Sequence, residues 1–195
     1  MKVFFTASQR GKKYFGEYYK RIFNHLVKLG YQHTDDMIIK IDSKDFYQQL
    51  EEKGYEKHKW LFHNFVKQVK IADIVVFELS LHSLSIGFMI EKALEIGKPV
   101  VILYVEENLP YFLAGITDER LHLIEYDTNN LETKLEETMK IARSNVDTRF
   151  NFFVSRDMLN YLNEVSNKLE ITKSTYIRNL INEHRKKFTN QSNAS

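Results

Sequence analysis

The sequence predicts an α/β protein: a Rossmann-like five-stranded parallel sheet with helices on both faces, then a small C-terminal β-α-α module. Three observations carry this prediction. Strand-like apolar runs alternate with helix-spaced segments through residue 143, the pattern of a parallel sheet covered on both sides. Two prolines and seven glycines in 195 residues are too few for an all-β fold with many turns. The pattern then breaks at the polar stretch Ser144-Asn145-Val146-Asp147, which reads as a linker.

Each element follows from its residues. Lys2–Phe5 is a short β-branched and aromatic run, closed by a polar turn at Ser8–Lys12. Over Tyr14–Leu29, Tyr18, Ile22, Phe23, Leu26 and Leu29 recur at helical spacing, and Gly30 sits where a C-terminal cap belongs. Met37–Ile41 is expected to be a second strand. Asp45–Lys53 and Tyr55–Lys70 are helical in pattern, interrupted at Gly54. Asp73–Leu79 holds an apolar run of the kind buried on both faces. Ser85–Ile96 is helical and ends at Gly97-Lys98-Pro99; Val100–Val105 and Leu121–Tyr126 are strands; Asn130–Arg143 is a closing helix. These define a first domain over residues 1–143.

Residues 144–188 form the second module. Thr148–Ser155 alternates, with Phe150, Phe152 and Val154 on one face and Arg149, Asn151 and Phe153 on the other. Ser155 can cap a helix carrying Met158, Leu159, Leu162, Val165 and Leu169, and Thr172 or Ser174 can cap a second with Tyr176, Ile177, Leu180 and Ile181. The Asn/Ser-rich stretch 189–195 reads as a disordered tail. One strand and two helices bury little core and leave the strand's backbone unpaired. Two copies pairing strands and interlocking helices would answer both problems, so a homodimer is expected.

Composition excludes several classes. The chain has no cysteine, which removes disulfide scaffolds, cysteine zinc sites and a cysteine nucleophile. With 28 Lys+Arg against 26 Asp+Glu, net charge alone does not argue for nucleic acid. No apolar run approaches the roughly 20 residues that span a bilayer, and no signal-peptide core is visible. A cytoplasmic protein is the expectation. His58 and His63 lie five apart, not at zinc spacing, and neither metal nor cofactor is expected.

Two resemblances sharpen the reading. Arg149-Phe-Asn-Phe-Phe-Val-Ser155, a helix, and Leu169-Glu-Ile-Thr-Lys-Ser-Thr-Tyr-Ile-Arg178 resemble ribbon-helix-helix DNA-binding modules of the Arc/MetJ type. The resemblance implies a two-stranded ribbon in the major groove of double-stranded DNA, read by Arg149, Asn151 and Phe153. Lys173, Ser174 and Thr175 would meet a phosphate at the second helix's start. From Asp147 onward there are eight basic and five acidic residues, in keeping with this.

Residues 1–143 are similar to the nucleoside 2-deoxyribosyltransferase superfamily, above all its 2′-deoxynucleoside 5′-phosphate N-hydrolase branch. The segments are Phe4-Phe-Thr-Ala-Ser-Gln-Arg-Gly11, Ala72-Asp-Ile-Val-Val-Phe-Glu-Leu-Ser80, Ser83-Leu-Ser-Ile-Gly87 and Gly97-Lys-Pro-Val100. In a parallel sheet, ligands sit at the carboxyl ends of strands. Ser8, Arg10, Gly11, Ser83, Ser85 and Gly87 fall in two such loops, and their hydroxyls, guanidinium and backbone N–H groups suit a phosphate. The resemblance implies that Ser8, Arg10, Ser83 and Gly87 hold a 5′-phosphate.

The sequence departs from that family where it matters chemically. The resemblance implies a catalytic glutamate at the position of Met89 and a supporting aspartate at the position of Phe65. Neither residue present can be a nucleophile or relay a proton. The leading expectation is therefore a nucleotide-binding, catalytically inactive domain fused to a dimeric DNA-binding module, a ligand-responsive regulator. One alternative is a nucleoside or nucleotide N-glycosidase or deoxyribosyltransferase using a displaced carboxylate, Glu78 or Glu91. Another is an antitoxin-like interaction module.

Overall fold

A computed structural model describes residues 1–144, 146 and 153–192. The chain divides into two units, Met1–Thr148 and Arg149–Ser195.

In the first unit, alternation along the strands sets the layers. In β1 (Lys2–Ala7), Val3, Phe5 and Ala7 turn to one face and Phe4 to the other. β2 (Gln32–His33), β3 (Ile74–Glu78), β4 (Val100–Val105) and β5 (Leu121–Tyr126) complete a parallel sheet of order β2-β1-β3-β4-β5. Ile74, Val76, Val101 and Leu103 share the Phe5 face, covered by α1 (Lys12–Lys28) and α6 (Leu131–Ser144) through Ile22, Leu26, Leu135 and Met139. Val75, Phe77, Val100 and Ile102 share the Phe4 face, covered by α3 (Ser43–Ile71) and α4 (Leu84–Glu95) through Phe65, Val69, Ile90 and Ala93. Both faces are covered by apolar side chains, which is why β3 and β4 read as continuous apolar runs.

Two glycines stop helices as the sequence suggests. Gly30 and Gly97 have φ of +84° and +89°. After α1, Gly30 N–H bonds Val27 O and Tyr31 N–H bonds Leu26 O; after α4, Gly97 N–H bonds Leu94 O and Lys98 N–H bonds Ala93 O. This double closure needs a left-handed residue at its turn. At Gly54 the backbone leaves helical geometry, so α3 is two helices joined by a kink.

One element was misplaced by pattern. Met37–Ile41, expected as a strand, contains α2 (Met37–Lys40), and the edge strand lies earlier, at β2. A short apolar run does not by itself separate strand from helix. Here Asp35 Oδ1 accepts from Met37 N–H at 2.8 Å, starting a turn that drops Ile38 into the core. A single-turn helix, α5 (Tyr111–Ala114), precedes β5.

In the second unit, α7 (Arg156–Leu169) starts at Ser155, whose Oγ accepts from Met158 N–H at 3.2 Å. Ser155→Ala is expected to cost about 1 kcal/mol of this unit's stability, read by urea unfolding of the whole chain. Thr172 Oγ1 accepts from Thr175 N–H at 3.1 Å at the start of α8 (Lys173–Ser192). That helix continues past Thr189, where the sequence suggested a disordered tail. Phe153, Val154 and Ser155 carry no strand, although the alternation predicts one. A lone strand has no partner for its backbone groups within one chain. The rest of that predicted strand, including Arg149 and Asn151, lies outside the described residues. Leu162 is buried, whereas Phe153, Met158, Leu159, Leu169, Leu180 and Ile181 are exposed.

Candidate functional site

The strand order determines where a ligand can sit. From β1 the chain turns outward to β2, and from β3 it turns the other way to β4 and β5. The crevice at such a reversal, outside the carboxyl ends of the strands, is the general ligand site of open α/β sheets. It is flanked here by the loop after β1 and the loop after β3. Ser8, Arg10 and Gly11 lie in the first; Ser83 precedes α4, while Ser85 and Gly87 lie in its first turn. All six sequence-selected positions thus lie in the segments that follow β1 and β3.

They differ in what they offer. Arg10 and Ser85 are exposed. Ser8 is buried, and its carbonyl accepts from Gly11 N–H at 2.9 Å and from the Tyr19 hydroxyl at 3.3 Å. Ser83 stands at the N-cap of α4, but its side chain makes no capping bond, leaving the hydroxyl uncommitted to the helix. Gly87 N–H is engaged with Ser83 O at 2.9 Å, so it has no free amide for a phosphate.

The loops meet closely. A Cβ on Gly11 would lie 3.4 Å from Leu81 Cβ and 2.1 Å from Tyr19 Oη. Tyr19 is fully buried and cannot retreat without disturbing the core. Gly11→Ala is therefore expected to cost about 1–3 kcal/mol, as overpacking does. Tyr19→Phe in the same chain should recover most of that loss, because it removes the clashing oxygen. Thermal unfolding of the two single variants and the double variant measures this coupling.

Beneath the loops lies a carboxylate. Strand alternation puts Glu78 on the same face as Ile74 and Val76, facing Tyr19 of α1 and Tyr126 of β5. Glu78 is 0% exposed. Its Oε1 accepts from Tyr126 Oη at 2.9 Å, from Ser80 N–H at 3.2 Å, and from the Ser80 hydroxyl. Ser80 Oγ in turn accepts from Val105 N–H at 2.9 Å, tying the group to the end of β4. Oε2 has no hydrogen-bond partner in good geometry, though the Tyr19 hydroxyl is near enough to interact with the carboxylate. Burial holds the Glu78 pKa above its ordinary value, against the pull of the Ser80 and Tyr126 hydrogen bonds. Burial, reinforced by the Glu78 charge, raises both tyrosines as well. Burial therefore keeps this carboxyl group protonated to higher pH than an exposed glutamate, while the hydroxyls around it work the other way.

The other acid positions are empty of chemistry. Met89 is half-buried and packs in the α3/α4 layer, and Phe65 is buried there, its ring 5.7 Å from that of Phe4. Glu91 is exposed on α4. Glu78 belongs to the opposite layer, so of the two displaced carboxylates only Glu78 lies inside the fold. Tyr19, Ser80 and Tyr126 were not selected from sequence. Ser80 follows Glu78 closely enough to be suspected; Tyr126 needs the strand order to be seen. Among the described residues, no group of three or more His, Asp or Glu could hold a metal ion. Likewise, none of their helices is long and apolar enough to cross a membrane.

Together these define an α/β domain with a buried carboxyl group at the carboxyl end of its central strand. No family model matches the chain. It is 29% identical over 154 residues to "Putative 2'-deoxynucleoside 5'-phosphate N-hydrolase 1" of Thermofilum pendens, covering 99% of that protein and 75% of this chain. It is 26% identical over 140 residues to the 5-hydroxymethyl-dUMP N-hydrolase of Mus musculus, covering 76% of that protein and 68% of this chain. The rat (Rattus norvegicus) protein of the same name is 25% identical over 138 residues, with 82% of it and 69% of this chain covered. A solved structure, the CMP N-glycosidase BcmB of Clostridium botulinum, superposes with a TM-score of 0.49 at 15% identity, covering 99% of that chain and 72% of this one.

Proposed function

We propose that the first unit is a nucleoside 5′-monophosphate N-glycosidase in which Glu78 is the proton donor. The observation that carries this reading is the buried carboxyl group at the end of the central strand, ringed by the Ser80, Tyr126 and Tyr19 hydroxyls. The similarity to proteins named as nucleotide N-hydrolases supports the reaction class.

The phosphate sits between Arg10, Ser8 and Ser83, where a guanidinium and hydroxyls can hold a dianion. The C1′–N bond breaks with its electron pair passing to the base nitrogen, which takes the proton from Glu78 Oε2. Water adds to C1′, and the proton it sheds returns to Glu78. The products are the free base and the sugar 5-phosphate. Because Glu78 is covered in the free protein, the loops after β1 and β3 must part for the nucleotide to reach Oε2.

Base release from a panel of ribo- and deoxynucleoside 5′-monophosphates tests this, with ligand-induced thermal stabilisation read on the same samples. A ligand at 100 times its Kd adds about 2.7 kcal/mol of stability. Release supports the reading; stabilisation without release at any pH overturns it.

That second outcome would favour the other reading, which Met89 supports: a nucleotide-binding domain without chemistry, joined to a DNA-binding module. In that reading Lys173, Ser174 and Thr175 contact phosphate, Arg149, Asn151 and Phe153 face the bases, and two copies pair over the exposed apolar residues of α7 and α8.

A further inference from the structure

One hydroxyl has two acceptors within its reach. Tyr19, on α1, is 1% exposed. Its Oη donates to Ser8 O at 3.3 Å, longer than the usual O–H···O distance. The same hydroxyl acts on the Glu78 carboxyl group, whose Oε2 has no hydrogen-bond partner in good geometry. A phenol has a single O–H to give, so it serves one of these acceptors fully at a time.

The two acceptors do not depend on Tyr19 equally. Ser8 O also accepts from Gly11 N–H at 2.9 Å, so it keeps a partner when the tyrosine proton turns away. Glu78 is 0% exposed, and Tyr126, the Ser80 N–H and the Ser80 hydroxyl all donate to Oε1. An ionised carboxylate out of reach of water needs a donor on its second oxygen as well. The groups that act on Glu78 are the Ser80 hydroxyl after β3, Tyr126 of β5 and Tyr19 of α1. Behind Tyr126 stands Tyr18, edge-on at 5.3 Å, with Arg21 over the Tyr18 ring at 5.7 Å. The Tyr19 ring is fixed in the core, so an exchange of acceptor is a rotation of the O–H about its C–O bond.

We propose that Tyr19 is a positioning residue for Glu78: its O–H is held by the Ser8 carbonyl while Glu78 is protonated and turns to the carboxylate as Glu78 loses its proton. The catalytic consequence rests on Glu78 being the proton donor. In that reaction the Glu78 proton passes to the base nitrogen, and the Tyr19 proton stays on its own oxygen throughout. A hydrogen bond made to the charge as it develops, and not before, lowers the barrier rather than merely the ground state. Because Ser8 is the other acceptor, the exchange ties the loop after β1 to the state of the acid.

The test uses the full chain, 13C-labelled at glutamate carboxyls, tyrosine Cζ and backbone carbonyls, in a pH titration followed by NMR with no ligand added. In the unaltered protein, Tyr19 Cζ and the Ser8 carbonyl carbon should shift together at the Glu78 midpoint. In Tyr19→Phe the Ser8 step should vanish and the Glu78 midpoint should move to higher pH, because a bond that favours the charged form is gone. A Ser8 carbonyl that ignores the Glu78 titration, or an unmoved Glu78 midpoint in the folded variant, overturns the proposal. Should the variant unfold, the Ser8 and Tyr19 steps of the unaltered protein decide alone. Base release supplies the second readout. Its kcat should fall about tenfold in Tyr19→Phe with KM within about twofold, and its falling pH limb should move upward with the Glu78 midpoint. A raised KM with an unmoved limb is the mark of a structural defect and also overturns the proposal. Coupled titration in a protein that releases no base from any nucleotide leaves the shared hydroxyl standing and removes the glycosidase reading.

Discussion

Glu78→Gln is expected to lower base release about a hundredfold or more while leaving nucleotide affinity within a few-fold. The amide keeps the shape and can still accept from Tyr126 and Ser80, but it has no proton to give. The unaltered protein's rate should fall as pH rises through the raised Glu78 pKa, because only the protonated form acts. The variant's residual rate should lack that limb. Stability gives an independent readout. A buried glutamic acid whose folded pKa is raised contributes fully below the ordinary glutamate pKa. That contribution is lost as pH climbs through the folded value, since the unfolded chain ionises first. Burial lowers the His33 and His122 pKa values in both proteins, so the Glu78 contribution is read as a difference: between pH 4 and pH 9 the stability of the unaltered protein relative to Glu78→Gln should fall as pH rises. A variant with full activity would remove Glu78 from the chemistry, whatever its stability.

Met89→Glu should act in the opposite direction. It puts a carboxylate on α4 at the position that the deoxyribosyltransferase resemblance marks as catalytic. If the crevice presents C1′ to that helix, base release should rise about tenfold or more, since a charge aimed at a developing cation stabilises the transition state. Met89 is half-buried against apolar neighbours, so the new charge should cost about 1–3 kcal/mol of stability. Phe65→Asp, added in the same chain, would supply the second acid. An increase in turnover by a less stable protein is a combination that a packing defect does not produce. No increase in a folded variant would mean that α4 does not face the sugar.

Much of this architecture was legible because burial on both faces leaves a strong mark. β3 and β4 are apolar runs, α1 and α4 end at glycines with positive φ, and the Gly54 break is plain in the spacing. The loops of the crevice were legible because strand ends and helix starts locate them. What was not legible depends on contacts distant in sequence. Met37–Ile41 looked like a strand because the bonds that start its helical turn come from outside it, at Asp35 and Asp36. Tyr126 lies 48 residues from Glu78 and becomes its partner only through the order of the strands. Phe153 could be given a face but not a partner.

The edge of the sheet has a consequence for exchange with solvent. β2 pairs with β1 over only two residues, whereas β3 is flanked on both sides. Amide deuteration should therefore be fastest at Gln32–Thr34 and slowest across Ile74–Phe77, with an intervening gradient set by local opening rather than global unfolding. The edge should therefore exchange through openings that leave β3 closed, so that its deuteration reports motions the central strand does not share.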